Sequence, residues 1–323
     1  MVLETTVLDW LLDSDPALRW QVERDLAGEP QEVWRATRAR VATEGIGARL
    51  LAHQERDGQW AGGSFFPKGF FGSAEQDEPG QPWVATTWSL NALREWGLDA
   101  SALADTAERL QANSRWDYNG LPYWDGEVDV CINSFTLGNG AWLGADVSKL
   151  VAWFPEHRMP DGGWNCEAEE GSGSTRSSVH STLNAVRGIL DYERRTGDTR
   201  MREARRTGEE YLLERRLLRR LSTGEDVVPG VRTLAYPFRH HYTVLRATDH
   251  FRRLSLHEGA APDPRIAEAV EVIRGRRRED GTFLQEARYP GRVWFEVDVP
   301  IGEPSKWVTF YATRVLDWWD GLN

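Results

Sequence analysis

A polar helix, an Asp/Asn-Gly turn closing on aromatic residues, and a more apolar helix follow one another about five times in this sequence, at a period of roughly 40 to 65 residues. No other feature constrains the fold as strongly. The turns read Q-E-R-D-G-Q-W-A-G-G (Gln54–Gly63), D-Y-N-G-L-P-Y-W (Asp117–Trp124), P-D-G-G-W (Pro160–Trp164) and E-D-G-T-F (Glu279–Phe283). Asp-Gly supplies a positive φ, and the aromatic residue that follows can pack back on the helix before it. The helices after the turns are expected over Trp83–Trp96, Cys131–Leu143, Val179–Tyr192, His240–Phe251 and Trp307–Trp319. They carry few charges, which predicts burial. Those before the turns are expected over Gln31–Gln54, Ser101–Asn113, Val147–His157, Arg200–Arg220 and Pro264–Arg277, each with a charged face that predicts an outer position. Acids interleave with the basic residues of Arg194–Arg220, so this run reads as a solvated outer helix and not as a partner patch.

Stacked helix pairs either extend as an open solenoid or close on themselves. Buried second helices favour closure. The expectation is therefore an all-α chain, an α/α toroid of about five to six hairpins with inner and outer rings, in one domain spanning 1–323. Residues 1–30 would form a helical extension packed on the barrel. There, Leu3 to Ala27 reads as helix broken at S-D-S-D-P, with Asp15 capping the second piece and Pro16 in its first turn.

Composition excludes several classes of function. A net charge of −11 opposes binding to nucleic acid, which needs a basic field. No apolar run approaches the roughly 18 residues of a membrane span, and the first residues lack the pattern of a secretory signal. A cytoplasmic protein without an obligatory protein partner is expected. Two cysteines build no disulfide framework, so metal binding or buried packing is favoured. The 16 tryptophans are out of the ordinary, and many sit in loops beside Gly and Asp, where they can plug gaps between helices or line a cavity.

Both cysteines lie in one stretch. It runs G-E-V-D-V-C-I-N-S-F-T-L-G (Gly126–Gly138), then P-D-G-G-W-N-C to Cys166, then S-S-V-H-S-T-L-N-A-V (Ser177–Val186). Carboxylate, thiolate and imidazole together make a zinc ligand set. Each residue also has a plainer reading. Asp129 can be a helix cap, Cys131 a small buried residue and His180 a satisfied core histidine. Cys166 can be a fourth ligand, a reactive thiol or packing beside Trp164.

The turns resemble the Q-x-x-D-G-x-W repeats of the squalene cyclase and protein prenyltransferase superfamily. Gln54–Trp60 fits that pattern, and Met159–Trp164 and Arg277–Phe283 fit it in part. The resemblance covers nearly the whole chain after about residue 40 and extends to short bacterial cyclase-like proteins. It implies a toroid with a central cavity opening where the inner helices begin. V-D-V-C-I-N-S-F (Val128–Phe135) and S-S-V-H-S-T-L (Ser177–Leu183) look most like the prenyltransferase β subunit. That likeness implies a catalytic Zn2+ on Asp129, Cys131 and His180, with one position open to water or substrate. The chain departs from these families twice. Leu121–Val130 holds no Lys or Arg where the prenyltransferases hold a diphosphate, and the D-x-D-D acid of triterpene cyclases is absent.

Further candidates sit at the starts of later inner helices. His240 and His241 are acid/base candidates, with Tyr242 beside them to polarise a substrate, or else a solvent-facing pair. Lys306 could bind an anionic group and Trp307 an apolar one. Trp83 and Phe135 belong to the aromatic cavity lining that terpenoid-handling toroids use, or to the core. Arg292 and Glu296 are expected near the cavity mouth, with Glu296 a possible general base. The expected function is a zinc-dependent enzyme acting by transfer or cyclisation on a largely apolar, isoprenoid-like small molecule. The alternatives are a metal-free cyclase-like or hydrophobic-ligand-binding protein, a zinc-dependent hydrolase, and an inactive scaffold.

Overall fold

The computed structural model describes residues 5–169 and 173–322. Leu3 and Glu4, included in the expected first helix, lie outside them, as do Glu170–Ser172 and Asn323. The described residues are all-α, with turns and only isolated β-bridges between helices. In chain order the helices are α1 (Thr5–Leu12), α2 (Pro16–Asp25), α3 (Gln31–Ala39), α4 (Gly45–Leu51), α5 (Thr86–Glu95), α6 (Thr106–Asn113), α7 (Val130–Leu143), α8 (Ser148–Glu156), α9 (Val179–Thr196), α10 (Arg202–Glu214), α11 (Val244–Glu258), α12 (Ala267–Arg274) and α13 (Lys306–Trp319).

The alternation read from the sequence holds for the other helix pairs but not for α10, which is buried at Ala204, Arg205, Glu209, Tyr211, Leu212 and Leu213. Helices α5, α7, α9, α11 and α13 are buried over most of their length. Helices α6, α8 and α12 bury two or three residues each. Three of the turns share one set of bonds. Trp60, Trp164 and Phe283 are fully buried. Their backbone N–H groups donate to Thr86, Thr182 and Thr309 Oγ1, at 3.1, 3.0 and 2.9 Å, on the following buried helix. The indoles of Trp60 and Trp164 donate backward to Leu50 O and Phe154 O, both at 2.9 Å. Each turn thus bonds its aromatic residue forward to a threonine, and an indole also satisfies a carbonyl at the end of the previous helix. Gly58, Gly162 and Gly281 hold φ of +92°, +99° and +81°, where a side chain is strained.

Several expected helices have different bounds, among them α6, α10 and α12, which are shorter than expected. Gln31–Gln54 is broken after α3 by a short 3-10 turn and by Gly45, whose φ is +62°. Asp15 caps α2 through Ala17 N, as expected, and its other oxygen accepts Ile46 N. The helix expected from His240 begins at Val244, because the Thr243 side chain caps it through Arg246 N. The helix expected from Trp83 begins at Thr86, whose hydroxyl is taken up by the turn.

The chain divides into two compact units. Unit 1 comprises Met1–Ile46, Leu212–Arg288 and Glu296–Asn323, so α1 and α2 pack there with α13. Its buried Arg314 pairs with Asp249 at 2.7 Å and with Asp25 at 3.4 Å, joining α13 to α11 and α2. Unit 2 comprises Gly47–Tyr211 and Tyr289–Phe295, with α7 packed along α9 and against α5. Arg94 of α5 lies over Gly138 of α7 and pairs with Asp191 of α9 at 2.5 Å. The solvated reading of α10 is corrected here. Arg205 is fully buried, with Glu209 on its own helix at 2.7 Å and Glu193 of α9 at 3.3 Å. A charge without water around it needs this double pairing. Among the described residues no helix is long and apolar enough to cross a membrane.

Candidate functional site

Unit 2 brings the two cysteines together. Their Sγ atoms are 3.3 Å apart, Cys131 in the first turn of α7 and Cys166 two residues past the buried Trp164. Close approach of α7 and α9 makes this possible. A Cβ on Gly188 of α9 would stand 2.5 Å from Ser134 O of α7, so glycine lets the two backbones meet. One turn earlier on each helix, Asn184 Nδ2 donates to Cys131 Sγ at 3.2 Å and to His180 O at 3.0 Å. Ser181 fixes the other thiol: its hydroxyl accepts Cys166 N at 3.1 Å and lies 3.3 Å from Cys166 Sγ.

The thiols are inequivalent. Hydrogen bonding to Cys166, then burial, holds the Cys131 thiol well above its ordinary range. Cys166 is lowered, first by the hydrogen bond from Cys131 and then, against burial, by that from Ser181. Of the two, Cys166 is thus the easier to ionise, and it is the more accessible sulfur. The negative charge of Asp129 bears on both.

Asp129 occupies the N-cap position of α7, yet its side chain makes no capping bond. Asn133 holds the segment instead: its Nδ2 donates to Glu127 O and its Oδ1 accepts Glu127 N, both at 2.7 Å. The Asp129 carboxylate lines a cavity of about 360 Å³ together with Cys166. Phe65, Phe66, Phe71, Trp116, Tyr118 and Ile132 form its apolar wall. Asp117, Glu127 and Glu167 add three more carboxylates, and burial raises the Asp117 pKa. The lining contains no lysine or arginine among the described residues. Phe71, more than half exposed, marks where the wall reaches solvent.

The remaining candidates are placed as follows. Trp83 and Phe135 pack behind the cavity wall, their ring centroids 4.7 and 5.3 Å from that of Trp88, which meets the wall residue Phe65 at 4.7 Å. His180 is the second residue of α9 and half-buried. Among the described residues no three His, Cys, Asp or Glu side chains are gathered closely enough to hold one metal ion. The sulfur pair is thus the part of the expected zinc ligand set that is assembled here.

His240, His241 and Tyr242 belong to unit 1. The two imidazoles stack at 4.4 Å, and the buried Tyr242 hydroxyl donates to Leu217 O at 2.9 Å. Lys306 donates to Asp13 O and lies 5.5 Å from the Trp10 ring, so it ties α13 to the N-terminal helices. Trp307 is buried and stacks on Tyr236 at 4.4 Å. Arg292 pairs with Glu75 at 2.7 Å, and Glu296 with Arg288 at 2.9 Å.

Asn184, Ser181, Asp117, Glu167 and the phenylalanines of F-F-P-K-G-F-F (Phe65–Phe71) did not stand out as site residues in the sequence. The serine and asparagine signal was available in the spacing: Ser181 and Asn184 are three residues apart in α9 and so share one face of it.

No protein-family model matches the chain, and no curated protein matches it. A solved structure, the crystal structure of a protein from Actinoplanes, is similar over 96% of this chain and 90% of its own, with 15% sequence identity and a TM-score of 0.45.

Proposed function

We propose that this is a cytoplasmic enzyme acting on a largely apolar small molecule held in the unit 2 cavity, and that the positive charge of the bound species, permanent or formed during reaction, is stabilised there. An isoprenoid chain meets that description. The observation that carries the reading is the joint lining: aromatic side chains, four carboxylates and the Cys166 thiol line one space, with no basic residue among its described lining residues. Aromatic faces attract cations through their quadrupole, and the carboxylates add to that attraction. A diphosphate would meet only like charge.

The test is a titration, followed by tryptophan fluorescence, of an isoprenoid primary amine against the alcohol and the carboxylate of the same chain. The amine should bind about tenfold more tightly than the alcohol, equivalent to about 1.4 kcal/mol. Asp129→Asn should narrow that gap. Equal binding of the carboxylate would remove the charge argument, and no binding by any of the three would remove the cavity as the site.

A second reading keeps zinc, and the paired sulfurs favour it. Two cysteines beside a carboxylate, with Asn184 and Ser181 directed at the sulfurs, are the donor chemistry of a zinc–thiolate site. Cys131 and Cys166 would hold the ion, and Asp129 and His180, not gathered with them here, would have to close in to complete the set. Bound there, it would supply a Lewis acid at the cavity floor. Mass spectrometry of the purified protein should then find about one zinc per chain, lost in Cys131→Ala and His180→Ala. Well-folded, metal-free protein would leave the thiol pair as the chemistry of the site.

A further inference from the structure

We infer that Cys131 and Cys166 form a reversible dithiol–disulfide couple, oxidised by a small disulfide that reaches Cys166 through the cavity. The couple stands apart from the ligand reading above, since it needs no ligand bound. Four observations converge on it. The sulfurs lie 3.3 Å apart, so a disulfide of about 2.05 Å requires an approach of only about 1.2 Å. Cys166 lines the cavity and is therefore open to a small solute, whereas Cys131 is not among the lining residues. Asn184 and Ser181 are placed on the two sulfurs and keep them facing each other. These are also the chain's two cysteines, so an intramolecular disulfide can only be this one.

The two anchorages differ in kind. Cys131 belongs to the first turn of α7, a helix buried along nearly its whole length. Cys166 sits in the turn after Trp164, so closing the bond draws that turn toward α7. The sulfur then leaves the cavity wall, and oxidation changes the site that a ligand would meet.

The exchange balances as written. Cys166 Sγ attacks one sulfur of the small disulfide, that S–S bond breaks, and one small thiolate leaves and takes a proton. Cys131 then loses its proton and attacks Cys166 Sγ in the mixed disulfide. The Cys131–Cys166 bond forms and the second small thiol departs. The protein dithiol gives up two electrons and two protons, and the small disulfide becomes two thiols.

The experiment uses the full chain, reduced and freed of metal with a chelator, then equilibrated in glutathione buffers of increasing oxidised fraction. Samples are quenched in acid, denatured and alkylated, and the intact mass is read. The expected product carries neither alkyl group nor glutathione, weighs two hydrogens less than the reduced chain, and returns to the doubly alkylated form with dithiothreitol. In Cys131→Ser the exchange should stop at a glutathione adduct on Cys166. In Cys166→Ser, Cys131 should react at least tenfold more slowly than Cys166 does in the first variant. Two thiols that stay alkylatable in every buffer, or a wild-type chain that stops at a glutathione adduct, would overturn the couple.

Discussion

Single side chains in this protein are governed by what water they lose. Asp298 shows it in unit 1. It accepts Ser305 Oγ at 2.5 Å and Val299 N at 2.9 Å, yet burial outweighs those bonds and raises its pKa from the ordinary 3.8 to about 6. The native state therefore holds a proton that the unfolded chain has released between these values. The contribution to stability is complete below about pH 4 and disappears as pH rises through about 6, a loss of about 3 kcal/mol. Urea denaturation between pH 4 and 7 should record that decline, and Asp298→Asn should flatten it. An unchanged slope in the variant would assign the decline to another group. Arg205 follows the same rule with the opposite remedy, since its buried guanidinium stays charged between Glu193 and Glu209.

At the scale of elements, the site depends on how closely α7 and α9 run. Gly188 opposite Ser134 O sets that distance, and Asn184 with Cys131 lies one turn away. Gly188→Ala would force a methyl group to 2.5 Å from a backbone oxygen that cannot rotate aside. A cost of about 1–3 kcal/mol is expected from such overpacking, despite the better helix propensity of alanine. Thermal or urea denaturation gives that number. The same change should slow Cys131–Cys166 disulfide formation, because the helices carrying Cys131, Ser181 and Asn184 move apart. A variant of undiminished stability would contradict the close approach. The turns teach a related lesson. Trp60, Trp164 and Phe283 were legible as repeats, but their threonine partners lie 18 to 26 residues onward and became evident only in three dimensions.

On the scale of the whole molecule, the chain sorts into two compact units, and the segments of each are far apart in sequence. In unit 1 the N-terminal α1 and α2 meet the C-terminal α13. Asp25, Asp249, Arg252 and Arg314 make the buried ionic contacts between α2, α11 and α13. In unit 2 the strip Tyr289–Phe295 joins Gly47–Tyr211, and Trp294 stacks on His53 at 4.0 Å. The candidate groups accordingly fall into two sets. The thiols, Asp129, His180, Trp83 and Phe135 belong to unit 2, and His240, His241, Tyr242, Lys306 and Trp307 to unit 1.

The sequence by itself determined the all-helical class, the alternation of buried and exposed helices, the glycine turns that join them and the stretch that carries the cysteines. Those are local properties: hydrophobic period, capping side chains and positive φ act over a few residues and can be read there. Tertiary structure alone decided that Cys131 meets Cys166, 35 positions further along the chain, that Asn184 and Ser181 attend the sulfurs, and that the phenylalanine loop closes a cavity over Asp129. It also decided that Arg205 faces inward. Each of these rests on how near two backbones approach and on which charges lose water together, and neither quantity is carried by any one segment of the chain.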